Sequence, residues 1–239
     1  MAVGWGHHNQ EVPRWRGVTD LNLLILGSAI ATTDWVVERA LPHVAGDVAK
    51  VLALAMFLAF GYWILELSDS ELGLARRDVR RGVVVGMGAA GVIIVVIAAL
   101  VFVPASRSHF LDSRVARDSW SQHWLVPLLG IPLGTAVFEE IIFRGVLLGA
   151  ACRRWRLPGA VAVTSVAFGL WHIPVATSDA TTSHSPAALV GTFVVTTLAG
   201  VLFALLRLRS GSVVAPILAH IATNSGAYAA ALVALRLWG

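Results

Sequence analysis

Six polar residues stand inside long apolar stretches: Glu139, Glu140, Arg144, His172, His220 and Asn224. A charge at the centre of a bilayer costs about 2.5–3.5 kcal/mol on insertion scales, so such residues face one another and usually carry function. A carboxylate, two imidazoles and an amide suffice for general-base attack by water with stabilisation of an oxyanion. Glu139, His172 and His220 also make a catalytic zinc set of two His and one carboxylate. Glu140 and Arg144 are four apart, share a helix face and can neutralise one another, which leaves a purely structural ion pair open for them. Glu139 lies about 100° around an ideal helix from Glu140 and so presents its carboxylate toward another surface. His220 with Asn224, and Phe168 with His172, have the same four-residue spacing.

The elements that must position these residues are membrane spans. Of 239 residues, 57% are hydrophobic and 13% charged, against about a quarter charged in a soluble domain. That excludes a disordered chain and argues against a soluble one. Val83–Ala105, Ala187–Leu206 and Gly211–Leu235 contain no acid, Lys or Arg, and each is long enough to cross a core that needs about 20 helical residues. Asp47–Leu67, Trp124–Ala151 and Leu157–Ser178 are further spans, and Leu21–Val37, interrupted by Asp34, is the weakest. The expected fold is an all-α polytopic transmembrane bundle of about seven spans, within a range of about six to eight. Residues 1–123 hold spans without a motif and residues 124–239 the core that bears the polar set.

The net charge of +4 comes from 17 Arg and one Lys against 14 acids. These bases sit in short clusters between apolar runs, which reads as membrane topology rather than nucleic-acid binding. Arg14 and Arg16, Arg76, Arg77, Arg80 and Arg81, Arg153, Arg154 and Arg156, and Arg207 and Arg209 fall in one set of alternate loops. Arg39, Lys50, Arg107, Arg114, Arg117 and Arg236 form the other, smaller set. The bias places the N-terminus in the cytoplasm and the C-terminus outside a cell membrane. Met1–Arg16 has no apolar run after its basic residues, unlike a cleaved signal peptide. Trp35, Trp63, Trp120, Trp124, Trp155 and Trp238 fall near span ends, as an aromatic belt does. Gly82 with Gly86, and Gly145 with Gly149, are spaced for close helix contact within the bundle. A single cysteine, Cys152, excludes an internal disulfide and a four-cysteine metal site.

Counted from the Arg-bearing ends at 1.5 Å per residue, Glu139 lies roughly 19 Å deep, His172 roughly 22 Å, His220 roughly 13 Å and Asn224 roughly 19 Å. Three helices therefore bring a carboxylate, two imidazoles and an amide to similar depth.

Glu139-Glu140-Ile141-Ile142-Phe143-Arg144 reads EExxxR, Phe168 to His172 reads FxxxH, and His220 to Asn224 reads HxxxN. In this order, on successive apolar helices, the three motifs resemble the CPBP family of intramembrane endopeptidases. That family holds the type II CAAX prenyl endopeptidases and bacterial relatives linked to bacteriocin maturation or immunity. The resemblance covers roughly residues 124–239. It implies that Glu139, assisted by His172, activates the attacking water, and that His220 and Asn224 stabilise the oxyanion. It further implies that Glu140 and Arg144 orient the site and that Phe168 shapes the pocket. The family has been described both as metalloprotease and as metal-free glutamate protease. The chain has no HExxH, and the expected chemistry needs no cofactor, with zinc on Glu139, His172 and His220 as the alternative. Expected partners are the lipid bilayer and a membrane-associated protein or peptide substrate, with no nucleic acid.

Two rival readings use the same residues. A catalytically silent immunity or scaffold protein has no chemical need for all of Glu139, His172, His220 and Asn224. An ion-coupled transporter would use Glu139, Glu140 and Arg144 as a relay, but the duplicated halves with interrupted helices that mark transporters are not evident.

Overall fold

The computed structural model describes residues 17–40, 43–178 and 185–239. Arg14, Arg16 and the signal-peptide reading of Met1–Arg16 lie outside the described residues, as do residues 179–184 and the side chains of Trp35, Arg39 and Arg114. Every regular element among the described residues is helical.

Seven helices occupy the seven expected segments: α1 (Asp20–Ala40), α2 (His43–Ala59, followed by the wide π turn Phe60–Ile64), α3 (Val79–Val101), α4 (Gln122–Arg154), α5 (Leu157–Ser178), α6 (Pro186–Ser210) and α7 (Val214–Trp238). The stretches Arg76–Val101, Gln122–Arg154, Pro186–Ser210 and Val214–Trp238 are long and apolar enough to cross a membrane. The apolar parts of α1, α2 and α5 are shorter. The protein is an all-helical, polytopic membrane bundle.

Local sequence explains where the helices begin, bend and stop. Ser185 caps α6 by accepting from the Ala188 backbone N–H, and Pro186 occupies the first turn, where a missing N–H does no harm. Gly211 ends α6 at φ 76°, a left-handed conformation that a Cβ would strain. α4 carries Pro132 in its interior and takes wide π turns over Val126–Val137 and again over Ile141–Leu147. Proline removes one ladder donor, and π turns recur at functional sites. The second π stretch begins directly after Glu139 and Glu140.

α3 lies along α7, α5 along α6, and α7 also packs on the first π stretch of α4. The spaced glycines make these approaches possible. A Cβ on Gly86 would come within 2.9 Å of the Ala215 Cα, and one on Gly149 within 2.7 Å of the Glu71 carbonyl oxygen. The principal core joins N-terminal residues such as Leu26, Ile30 and Phe57 to Phe143, Phe168, Phe203 and Ala219. Val84, Val92 and Val95 on α3 and Val195 and Leu198 on α6 remain exposed, an apolar surface suited to lipid. Trp63, Trp120 and Trp124 are exposed as belt residues should be. Trp155 instead packs against the core, and Trp238 takes the Arg107 guanidinium over its ring at 4.4 Å.

The Arg-rich end is knitted together rather than merely solvated. Between α2 and α3 a short helix, Asp69–Leu72, starts with a reciprocal capping box between Ser68 and Glu71 and ends at Gly73, φ 71°. Arg153 from the end of α4 grips Glu71 through two nitrogens and also donates to the Leu65 and Glu66 carbonyls. Arg207 from α6 donates to the Ser70 and Glu71 carbonyls. Burial alone would raise the Glu71 carboxyl, but hydrogen bonds from Arg153 and Ser68 and the Arg153 charge hold it below the ordinary value.

Candidate active site

α4, α5 and α7 deliver the six polar residues to one cluster, in which Glu139, Glu140, Arg144 and His220 are buried and His172 and Asn224 partly so, and α6 closes it from behind. Glu140 is fully buried. Its Oε1 accepts from Arg144 Nη1 at 3.0 Å, one helical turn away, and from His220 Nδ1 of α7 at 2.8 Å. Arg144 also donates to the Gly200 carbonyl of α6 at 3.3 Å. Its guanidinium carbon stands 4.0 Å from the centroid of the Phe168 ring, a cation–π contact strengthened by desolvation. The expected ion pair is therefore present, and it is also a bracket that fixes His220.

Ring nitrogens and their partners define the tautomers. His220 Nδ1 faces a carboxylate and so donates, which leaves Nε2 of the neutral ring as an acceptor. Asn224 Nδ2 sits 3.1 Å from that Nε2 and donates to it. His172 Nδ1 lies 2.8 Å from the Phe168 carbonyl oxygen; a carbonyl only accepts, so Nδ1 carries the proton and Nε2 offers its lone pair.

That lone pair points toward Glu139. Glu139 Oε2 is 3.9 Å from His172 Nε2 and 4.0 Å from His220 Nε2. This oxygen is buried and has no hydrogen-bond partner among the described residues. Glu139 Oε1 accepts from the Trp171 indole Nε1 at 3.3 Å. The expected divergence of the two glutamates holds only in part. Glu139 does turn toward α5, but His220 stands between the acids, with Nδ1 on Glu140 and Nε2 toward Glu139.

Phe168 is buried beneath the cluster. Its ring meets His172 at 4.5 Å, Phe143 at 5.1 Å and His220 at 6.0 Å between centroids. It acts as a hub between the two imidazoles and Arg144.

Three contributors escaped the motif reading. Trp171 binds Glu139, Phe203 stacks on His220 at 5.1 Å between centroids, and Gly200 lends its carbonyl to Arg144. An indole N–H in an apolar helix, directly before His172, was the only sequence sign for Trp171. Phe203 and Gly200 gave none, because an apolar residue in an apolar helix carries no mark of its neighbour.

The zinc alternative places Glu139, His172 and His220 around one ion. Tetrahedral zinc with bonds of about 2.0–2.1 Å needs donors about 3.3–3.4 Å apart. The carboxylate oxygen here stands 3.9 and 4.0 Å from the two imidazole nitrogens. Among the described residues no three His, Cys, Asp or Glu side chains are grouped to hold a metal ion. As spaced, these donors stand wider apart than tetrahedral zinc sets them.

Residues 121–226 match the family model described as type II CAAX prenyl endopeptidase Rce1-like. No curated protein and no solved structure gives a match. The matched region runs from the start of α4 into α7 and contains Glu139, Glu140, Arg144, Phe168, His172, His220 and Asn224. Over this helical core, residues 121–226, the chain is similar to the Rce1-like type II CAAX prenyl endopeptidases.

Proposed function

We propose that this protein is an intramembrane endopeptidase that hydrolyses peptide bonds of membrane-associated proteins or peptides, of the CAAX type or of a bacteriocin-like precursor. Water activated by Glu139 is the nucleophile, and no metal takes part. The observation that carries this reading is the buried, unpartnered Glu139 Oε2, held 3.9 Å from a His172 nitrogen whose lone pair faces it. Two hydrogen bonds of about 2.8 Å from a single water close across that separation.

The water donates one hydrogen to Glu139 Oε2 and the other to His172 Nε2, so its oxygen lone pair points at the scissile carbonyl. Attack forms the C–O bond as Glu139 takes the proton. Asn224 donates to the developing oxyanion, and His220, whose Nε2 accepts from Asn224, holds that amide in place; a preorganised donor of this kind is worth several kcal/mol. The Asn224 amide has a second N–H beyond the one given to His220. Glu140 and Arg144 act indirectly by fixing the His220 ring. As the C–N bond breaks, the proton on Glu139 passes to the leaving amine, with His172 as relay.

The N-terminal region, residues 1–123, supports and embeds the core of residues 124–239. The Arg-rich end faces the cytoplasm, with the N-terminus inside and the C-terminus outside. A silent scaffold protein has no use for an unpaired buried carboxylate oxygen, whose desolvation is a standing cost.

The deciding experiment compares membrane and secreted peptides from cells bearing the wild type, Glu139→Gln or His172→Ala, by mass spectrometry. Cleavage products should vanish in both variants at normal protein level. Unchanged products in either one would refute the assignment.

A further inference from the structure

The carboxylate of Glu139 has two chemically equal oxygens and a free terminal torsion, and a general base needs one of them held still. Oε1 is bound by the Trp171 indole at 3.3 Å, while Oε2 has no bond and faces two imidazoles. Trp171 and His172 are consecutive on α5. One residue thus addresses the first oxygen and the next residue the second.

The indole suits this task chemically. It has one N–H and no acceptor, so it cannot take the proton that Glu139 must collect. Its ring is held by Phe143, 5.5 Å away at 75°, and by Phe138 at 6.4 Å between centroids. The indole also lines an apolar cavity of about 290 Å³, together with Gly27, Ala31, Leu147 and Leu170 among others. The tryptophan therefore borders apolar space while its only polar atom is turned to the carboxylate.

We infer that Trp171 is a positioning residue that clamps Glu139 Oε1 and so assigns Oε2 as the base. This rests on the catalytic reading of Glu139 and adds a residue that the three motifs do not include. Loss of the N–H with the ring retained should free the carboxylate to rotate. Substrate binding, which does not use this bond, should persist.

The test uses the full-length protein in lipid nanodiscs. With ¹⁵N-labelled indoles the nine tryptophans give separate N–H resonances, and Trp171→Phe identifies the one that belongs to Trp171. In Glu139→Ala that resonance should move by more than its line width. On the peptide bond that the wild type cleaves, Trp171→Phe should lower kcat about tenfold or more at nearly constant KM, the size expected for one hydrogen bond to a charged group. A resonance that stays in place in Glu139→Ala overturns the inference whatever the rates. Wild-type kcat in Trp171→Phe, with Glu139→Ala inactive, overturns it and leaves the catalytic reading intact. Cleavage by Glu139→Ala would instead sink that catalytic reading, while the resonance still reports the contact.

Discussion

Two acid–arginine clusters hang from the same helix, nine residues apart, and they are built on opposite plans. At the Arg-rich end, Glu71 has both oxygens satisfied: Arg153 reaches each of them, and Ser68 adds its backbone N–H at 2.9 Å and its hydroxyl at 2.6 Å. In the bilayer interior, Glu140 Oε1 is bound twice, yet Glu140 Oε2 and Glu139 Oε2 are buried without a partner among the described residues. The first plan ties three segments together. The second leaves acceptors open where apolar surroundings make openness expensive. The comparison teaches that an arginine beside an acid does not reveal the role of the pair; the unspent lone pairs do.

The largest effect that separates the two clusters should come from Glu139→Gln. It keeps the size and the Oε1 contact but removes the base, and cleavage should drop by about 10²–10⁴-fold, measured on purified protein with an unchanged melting curve. Arg144→Ala should be next. It leaves Glu140 buried beside no cation, at a cost of about 3–5 kcal/mol, seen as lower membrane accumulation and a lower melting temperature. Replacing both partners, Glu140→Leu with Arg144→Leu, should restore much of that stability without restoring activity, because His220 loses the carboxylate on its Nδ1. Recovery of cleavage in the double variant would reduce the deep pair to structural glue.

Glu71→Gln should have a smaller effect of another kind. This bridge is partly exposed, so about 1 kcal/mol of stability is at stake. Activity per folded molecule should stay at the wild-type level; a large loss would break the contrast between the clusters. The same group sets a pH dependence. The folded carboxyl of Glu71 lies below its ordinary value of 4.5, so its stabilisation is fully present above that value. It is lost as the pH falls through the lowered folded value. Melting temperatures followed downward from pH 6 should fall through that window, and Glu71→Gln should flatten that part of the fall.

The bundle was legible because its cause is local. Long runs such as Val83–Ala105 can only be helices in lipid, since every backbone group must be bonded within its own segment. The convergence of Glu139, His172, His220 and Asn224 was also legible, from similar depth and from the penalty on stray charges. The relation of the two glutamates was not. An ideal helix separates them by about 100°, whereas His220 enters between them from α7, and nothing in residues 138–144 encodes where another helix will stand. Arg153 and Arg207 read as topology determinants, yet both are spent on backbone carbonyls of the segment before α3.

What the sequence determined by itself is therefore the environment and the inventory: a membrane, about seven helical segments, and a short list of polar residues too costly to be idle. Those follow from transfer free energies, which depend on residue type and run length alone. What only the tertiary structure decided is which oxygen and which nitrogen meet. The Trp171 bond to Glu139, the tautomers of His172 and His220, and the orphaned Oε2 depend on how α4, α5, α6 and α7 are set side by side. Hydrogen bonds form over a few tenths of an ångström and a limited range of angles, and no one-dimensional pattern specifies positions that finely.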